Sequence, residues 1–287
     1  YAFYKCGKLK YINLEMIKEI GDYGFASCTS LESVKLNSAT TIGDYGFSEA
    51  PIKSLNNVSS LTIIGDYCFQ SSAFEEVKLN NITSIGEYAF YNNKELKNVV
   101  LSNKLVNLEK GAFLNCSLIK EFKYFDDQNK ESSDGMVNDY YFIYQGAIYN
   151  YLDSGKIQLN SYPGGKSSQT LEVKEGTYRI EYFAGNSNIY VTKIILPDSL
   201  KSIGNFAFSG YASLKEVEFK SVYAPTLEGS NDKSKLSPSD PGYDIVHKYY
   251  DPYGNDLYYY QFVAQVGKLN QLKLVLPSNS KLSGYQS

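Results

Sequence analysis

The sequence predicts an α/β repeat solenoid, a stack of coils each built from a short parallel strand and a one-turn helix, interrupted by a β-hairpin or meander insertion. Three observations carry this prediction. Phe25, Phe47, Phe69 and Phe90 recur at spacings of 22, 22 and 21 residues, and Phe113 follows 23 residues later. Five residues before each of these anchors stands a large aliphatic, Ile20, Ile42, Ile64, Ile85 or Leu108, followed in the first four units by Gly21, Gly43, Gly65 or Gly86. After the anchor the apolar positions recur too, as Leu31, Val34 and Leu36 behind Phe25 and as Leu96, Val99 and Leu101 behind Phe90. Self-similarity at a fixed period in this range is the signature of a repeat architecture.

The strand is read from the period-2 alternation that ends each unit. Val34 and Leu36 point inward while Ser33 and Lys35 point outward. The helical turn is read from Asp22, whose carboxylate can accept from the free N–H groups at a helix start ahead of Tyr23 and Phe25. Alone, such a unit cannot bury its aliphatic and phenylalanine positions. Stacked in parallel at about 4.8 Å per coil, the units form one core with ladders of identical residues. Each buried Phe is then worth roughly 3–5 kcal/mol against alanine.

Phe3, Leu9, Ile12 and Leu14 place the start of the chain inside a unit, and Phe113 continues the series through Ile119, Phe122 and Tyr124. Residues 125–140 are polar and rich in turn formers. Tyr141–Tyr144, Ala147–Tyr151 and Lys156–Ser161 then alternate as strands separated by tight turns at Gln145-Gly146 and Asp153-Ser154-Gly155. A degenerate unit with Gly185 in the anchor slot leads into a full one at Ile203, Gly204 and Phe208. Leu272–Pro277 resembles the strand at Ile194–Pro197 and closes the array. The chain thus divides into repeats over 1–124, a loop and β-hairpin or meander insertion over 125–178 within the same solenoid, repeats over 179–221, and a tyrosine-rich C-terminal insertion with a closing strand over 222–287.

The segments IGDYGFASCTSLESVKL from Ile20 and IGNFAFSGYASLKEVEF from Ile203 resemble the BspA-type leucine-rich repeats of bacterial and protozoan surface proteins. Gly146, Ile148, Tyr149, Asp153, Gly155, Leu159, Tyr162 and Pro163 resemble the hairpin segment that often interrupts such arrays. The resemblance implies a leucine-rich repeat horseshoe, secreted and displayed at the cell surface. It implies an adhesin or interaction module toward extracellular or host-surface proteins. Because Tyr1 falls within a repeat, the residues are expected to be a fragment of a longer exported protein. Two departures from the pattern put local packing in question: Ser48–Asn57 is one residue short around Pro51, and Gly185 replaces the Phe.

Composition narrows the chemistry. With 287 residues, 43% hydrophobic and 21% charged, the chain can bury a sizeable core. A net charge of -3 argues against non-specific nucleic-acid binding, which rests on cations neutralising phosphates. No run approaches the roughly 18–20 apolar residues of a membrane-spanning helix. One histidine, His247, cannot supply a two-histidine metal site, and no acidic partner or nucleophile stands at a recognisable spacing from it. The segment NSYPGGKS at 160–167 misses a phosphate-binding loop because Asn160 occupies the first glycine position. No enzymatic activity and no cofactor are expected.

Several ladders have both a functional and a packing reading. Cys6 and Cys28 share a slot in adjacent coils. Parallel stacking leaves their Cβ atoms too far apart for an undistorted bridge, so two buried free thiols are expected. Asp22, Asp44, Asp66 and Glu87 form a carboxylate ladder that suits calcium or, more simply, four helix caps. Tyr23, Tyr45, Tyr67 and Tyr88 form a ladder of stacked rings. Tyr249, Tyr253, Tyr258 and Tyr259 lie outside the repeat and suit either a ligand-contacting loop or an insertion packed on the solenoid end.

The outward strand positions, Tyr11, Asn13, Ser33, Lys35, Ser54, Asn56, Glu76, Lys78, Asn98, Val100, Glu121, Lys123, Lys193, Ile195, Glu216 and Glu218, form a polar, mixed-charge face that suits a protein better than a polyanion. The candidate ligand-binding residues are Lys35, Lys78, Lys123, Glu76 and Glu121 on that face, with Tyr249, Tyr253, Tyr258 and Tyr259 in the loops. The expected function is non-enzymatic protein binding or adhesion. The alternatives are a carbohydrate-binding module using the tyrosine-rich loops and a structural spacer for a flanking domain.

Overall fold

Two rows of short parallel strands build the first half of the chain, one more row than the sequence predicts. The computed structural model describes residues 1–55, 58–185, 187–223, 225–228 and 272–277. They fall into two compact units, Tyr1–Tyr149 with Pro163–Lys166, and Asn150–Tyr162 with the chain from Ser167 onward. Along the first run β1 (Tyr11–Asn13), β2 (Glu19–Ile20), β3 (Ser33–Lys35), β4 (Thr41–Ile42), β5 (Ile63–Ile64), β6 (Glu76–Lys78), β7 (Ser84–Ile85), β8 (Asn98–Leu101), β9 (Asn107–Leu108) and β10 (Phe122–Phe125). There follow β11 (Glu131–Ser132), β12 (Gly135–Met136), β13 (Tyr141–Tyr144) and β14 (Ala147–Tyr151).

The predicted row appears as β1 on β3, with Ile12 opposite Val34, and separately as β6 on β8 on β10, with Val77 opposite Val99 and Val99 opposite Phe122. It is broken in the third coil, where the residues shortened around Pro51 form no strand up to Leu55. Ser54 therefore leaves the predicted strand, and Asn56 lies outside the described residues. The second row is β2-β4-β5-β7-β9. Its inward members are Ile20, Ile42, Ile64, Ile85 and Leu108, all buried. Between the rows lies one core, with Leu31, Phe47, Phe69, Phe90, Leu96 and Phe122 fully enclosed.

The predicted one-turn helices do not form. In the anchor segment every second N–H leaves its own coil: Tyr23, Phe25 and Ser27 donate to the carbonyls of Asp44, Gly46 and Ser48, each at 2.8 Å. Tyr45, Phe47 and Glu49 repeat the pattern onto Asp66, Cys68 and Gln70 of the following coil. The intervening Gly24, Ala26 and Cys28 donate to Gly21, Tyr23 and Phe25, closing successive tight turns. A helix would direct all these donors four residues back along the same coil. Here alternation requires left-handed backbone at two places per coil, and Tyr23, Tyr45, Tyr67 and Tyr88 have φ of 52–55°, with Ser27, Glu49, Ser71 and Asn92 at 55–60°. Such values are uncommon for side chains other than glycine. The lateral hydrogen bonds and the ring stacking offset the strain.

The aspartates consequently do not cap helices. Asp22, Asp44 and Asp66 each accept, through Oδ1, the N–H of the acidic residue in the same slot of the next coil, at 3.0, 2.9 and 2.7 Å. Each aspartate of the carboxylate ladder thus satisfies a backbone donor of its neighbour. Burial, joined by the charges of Asp44 and Glu87, raises the Asp66 carboxyl above its ordinary value despite the Glu87 N–H. The last member, Glu87, is paired with Lys110 at 3.2 Å.

Rings stack along both ladders. Tyr1, Tyr23, Tyr45, Tyr67 and Tyr88 lie at successive centroid distances of 4.7, 4.6, 4.8 and 4.9 Å. Phe3, Phe25, Phe47, Phe69, Phe90 and Phe113 follow at 4.9–5.7 Å. The four cysteines are free, and Cys6 is exposed rather than buried. Cys28 Sγ instead donates to the Phe3 carbonyl and Cys116 Sγ to that of Phe90, both at 3.1 Å. Burial pushes Cys116 up to about 12.

The polar stretch expected as a loop contributes two strands. β11 pairs antiparallel with β10, and β12 with β13. Between β13 and β14, Gln145 and Gly146 both have positive φ, the requirement of a type I′ hairpin turn. The glycines of the segment rejected as a phosphate loop serve packing, since a Cβ on Gly165 would meet the Ser117 and Leu118 carbonyls at 2.8 Å. Lys166 Nζ donates to the Gln145 carbonyl, holding that turn.

The second unit repeats the plan with β15 (Ile157–Ser161), β16 (Thr170–Glu172), β17 (Thr177–Ile180), β18 (Lys193–Leu196), β19 (Ser202–Ile203), β20 (Glu216–Phe219), β21 (Thr226–Leu227) and β22 (Lys273–Val275). Its rows are β15-β17-β19-β21 and β16-β18-β20-β22, parallel throughout. A 3₁₀ turn at Asp153–Gly155 lies in the predicted turn. The missing anchor has a packing reason. A Cβ on Gly185 would stand 2.6 Å from the Tyr211 ring, which is fully buried. Gly185 therefore yields the anchor space to a tyrosine.

The chain's one arginine also lies in this unit. Arg179 grips both carboxylate oxygens of Glu228 at 2.7–3.0 Å, reaches Glu181 at 2.9 Å, and its side chain is only 20% exposed. Burial costs the guanidinium, but the two carboxylates outweigh it and raise its proton affinity. Burial likewise works against the Glu228 carboxylate, yet Arg179 holds it below its ordinary value.

Three predictions rest on this packing. A Cβ on Gly65 would lie 2.6 Å from the Gly43 carbonyl carbon, whereas Gly21 has open space. Gly65→Ala should lower stability by roughly 1–3 kcal/mol by overpacking, while Gly21→Ala stays within about 0.5 kcal/mol of the parent, as read by urea denaturation. Arg179→Lys loses the two-toothed contact and should destabilise by roughly 1–3 kcal/mol. Because the Glu228 carboxyl is depressed on folding, its contribution is present above the unfolded-state value and is lost as pH falls through the folded one. Glu228→Gln should therefore flatten the acid limb of the thermal-stability profile below about pH 4.5.

Candidate functional site

The outward residues of the first row are set by strand alternation. In β3 Ser33 and Lys35 are exposed around buried Val34, and in β6 Glu76 and Lys78 are exposed around buried Val77. The register aligns Asn13 with Lys35, Glu76 with Asn98, and Lys78 with Val100 and then Lys123. Lys78, Lys123, Glu76 and Glu121 are thus brought onto one face of β6-β8-β10. Lys35 lies on the separate β1-β3 pair. Tyr249, Tyr253, Tyr258, Tyr259 and His247 lie outside the described residues.

None of the three lysines presents an isolated charge. Lys35 is paired with Glu15 at 3.1 Å, Lys78 with Glu131 at 2.8 Å and Glu76 at 3.6 Å, and Lys123 with Glu121 at 3.5 Å. The hydrogen bond to Lys35 lowers the Glu15 carboxyl, and Lys35 itself is raised by the same contact. The Glu131 contact raises Lys78. Sequence reasoning missed both carboxylate partners. Glu15 follows the strand, and Glu131 sits in the stretch read as a departing loop, where only the β11 pairing with β10 brings it to the sheet.

One outward position is corrected. Val100 is 1% exposed, because it lies between its cross-strand partners Lys78 and Lys123. The Lys78–Glu131 pair joins β6 to β11 across β8 and β10. Beside it, Glu76, Asn98, Glu121, Lys123 and Glu131 line a shallow pocket of about 130 Å³. In the second unit the same alternation turns Lys193, Glu216 and Glu218 outward but leaves them half-buried, and they are also paired, Lys193 reaching Glu216 at 2.9 Å and Glu218 at 2.7 Å. Such compensated faces discriminate partners by matching charges one for one rather than by a long-range field of one sign.

A larger groove of about 510 Å³ opens at the C-terminal ends of these strands in the first unit. It runs from Leu55 and Val58 past Asn80 and Asn103 to the 126–129 turn. Asp126 shapes that turn by accepting the N–H groups of Gln128 and Lys130 at 2.9 and 2.8 Å. No group of three or more candidate metal ligands is found among the described residues, and none of their helices is long and apolar enough to cross a membrane.

The arrangement has relatives. No functionally curated protein matches the chain in sequence. Among solved structures, a leucine-rich repeat protein from Eubacterium ventriosum is similar at 21% identity and a TM-score of 0.60, over 76% of this chain and 62% of that one. The chain therefore spans less than two thirds of that protein's length. A leucine-rich cell surface protein from Faecalibacterium prausnitzii is similar at 18% identity and a TM-score of 0.57, over 96% of this chain and 81% of that one. At these identities the likeness shows the fold, a repeat solenoid of stacked parallel strands. The model of the BspA-type leucine-rich repeat region matches in six copies over residues 1–130 and 155–228, so the chain belongs to the BspA-type leucine-rich repeat family.

Proposed function

We propose that the chain is a non-enzymatic, secreted, surface-displayed protein-binding module that acts in adhesion to an extracellular or host protein. The contact face in this reading is the outward side of β6-β8-β10. Family membership supports an interaction role, and the description of the Faecalibacterium prausnitzii relative as a cell surface protein supports display outside the cell. The observation that carries the choice of face is the row of partly exposed, paired charges there, with Glu76, Glu121 and Lys123 at its centre. Charges already positioned by a neighbour need little ordering on binding, and a partner with the complementary alternation would exchange one ion pair for another.

The test is binding of the purified chain to a panel of extracellular-matrix and host surface proteins, measured by biolayer interferometry. A double variant, Lys78→Glu and Lys123→Glu, is run beside it, with folding checked by circular dichroism. Saturable binding weakened at least tenfold by the folded variant, about 1.4 kcal/mol, is the expected result. Saturable binding unaffected by the variant would remove this face as the site. The absence of binding across the panel would remove the adhesive role.

A further inference from the structure

We infer that the 510 Å³ groove of the first unit is a binding site for a short neutral saccharide; it borders the charged strand face, with which it shares Lys78, and does not depend on the adhesive reading. Its volume lies within the roughly 300–1,000 Å³ typical of small-ligand clefts. Leu55 and Val58, both half-buried, supply a small apolar floor. Above it stand planar amides from different parts of the chain: Asn80 and Asn103 from successive coils and Asn129 from the turn behind β10. The two flanking lysines and two aspartates balance, so the lining carries no net charge.

The inner wall is ordered before any ligand arrives. Lys104 Nζ donates to Asn81 Oδ1 at 2.6 Å, and Asn81 Nδ2 donates to the Ser59 carbonyl at 2.7 Å. The groups left over have unused capacity. Asn80 Nδ2 makes one long contact of 3.4 Å with Asn129 Oδ1. Among the described residues the Asn103 side-chain amide and the Asp127 carboxylate make no hydrogen bond or ion pair.

These features select among ligand classes. An amide offers a donor and an acceptor side by side, and a carboxylate offers two acceptors. Adjacent sugar hydroxyls, each both donor and acceptor, match such pairs, and the C–H face of the ring suits a small aliphatic floor. An anionic ligand would meet Asp126 and Asp127 without a surplus of cations. A peptide draws most of its affinity from aromatic or arginine anchors seated in well-packed pockets. No aromatic ring lines this groove among the described residues, and the floor gives such an anchor only two half-buried aliphatic side chains.

The experiment is saturation-transfer NMR on the full chain with lactose, maltotriose, mannobiose and N,N′-diacetylchitobiose, followed by titration calorimetry of any sugar that responds. A decapeptide library is run in parallel. Asn103→Ala and Asp127→Ala remove groups with no internal partner and should leave the fold intact. Lys18→Ala in the first coil is the control. Transfer to at least one sugar, weakened tenfold or more by either groove variant and unchanged by the control, is expected. Silence from all four sugars at millimolar concentration, transfer indifferent to both groove variants, or groove-dependent capture of peptides with the sugars silent would each overturn the inference.

Discussion

Everything regular in this molecule depends on the lateral backbone hydrogen bonds that tie each anchor segment to the next coil. When Tyr23, Phe25 and Ser27 donate sideways at 2.8 Å, the spacing between coils is set before any side chain is placed. Ring centroids must then fall 4.6–4.9 Å apart in the tyrosine ladder, and stacking is the arrangement that accommodates them. The same spacing brings the Gly65 and Gly86 Cα atoms against the backbone of the preceding coil, which excludes a Cβ there. It also carries each aspartate carboxylate to the N–H of the residue in its own slot one coil on. A ladder of like charges would repel. This one is tolerable because its members accept backbone donors and, at the end, meet Lys110.

The first strand row was legible in the sequence because burial imposes it. Val34 and Val77 alternate with polar neighbours, 9 and 8 residues after Phe25 and Phe69, and a buried strand face imposes that pattern. The turn between the rows was not legible, because a left-handed tyrosine runs against its own local preference and only contacts from the next coil sustain it. One signal was nevertheless present. Gly111 stands in the tyrosine slot of the Phe113 coil and Gly210 in the second left-handed slot of the Phe208 coil, both with positive φ. A glycine that substitutes for a tyrosine at one position of a repeat reports a backbone requirement rather than a packing one. The second strand row was hidden for a different reason, since two residues per coil are too few to show alternation.

The charged face shows where local pattern stops informing about function. Alternation places Lys78 and Lys123 outward, but what each meets depends on a strand pairing, β10 with β11, that no periodicity announces. The consequence is chemical. The three lysines of the mixed-charge face are held by Glu15, Glu131 and Glu121, of which only Glu121 was among the outward residues read from the sequence. The field they project is short-ranged, which suits recognition of a surface with its own alternating charges and gives no general affinity for polyanions. Arg179 makes the same point inside the second unit. The chain's one guanidinium is spent on a half-buried network with Glu228 and Glu181, a task for which a lysine lacks the planar fork.

The irregularities matter more to function than the repeats do, because a perfect stack covers its own apolar surface. Losing one residue around Pro51 withdraws the third coil from the strand row, so that Leu55 and Val58 are left half-buried where their counterparts Val77 and Leu79 are fully enclosed. The turn that leaves β10 supplies Asp127 and Asn129 to the opposite side, and the coils between contribute Asn80 and Asn103. No single feature makes a site. A shortened coil exposes a floor, a departing loop raises a wall, and regular coils in between hold polar side chains at a constant spacing. A departure from the period thus creates a concave, chemically mixed groove on a scaffold of regular coils.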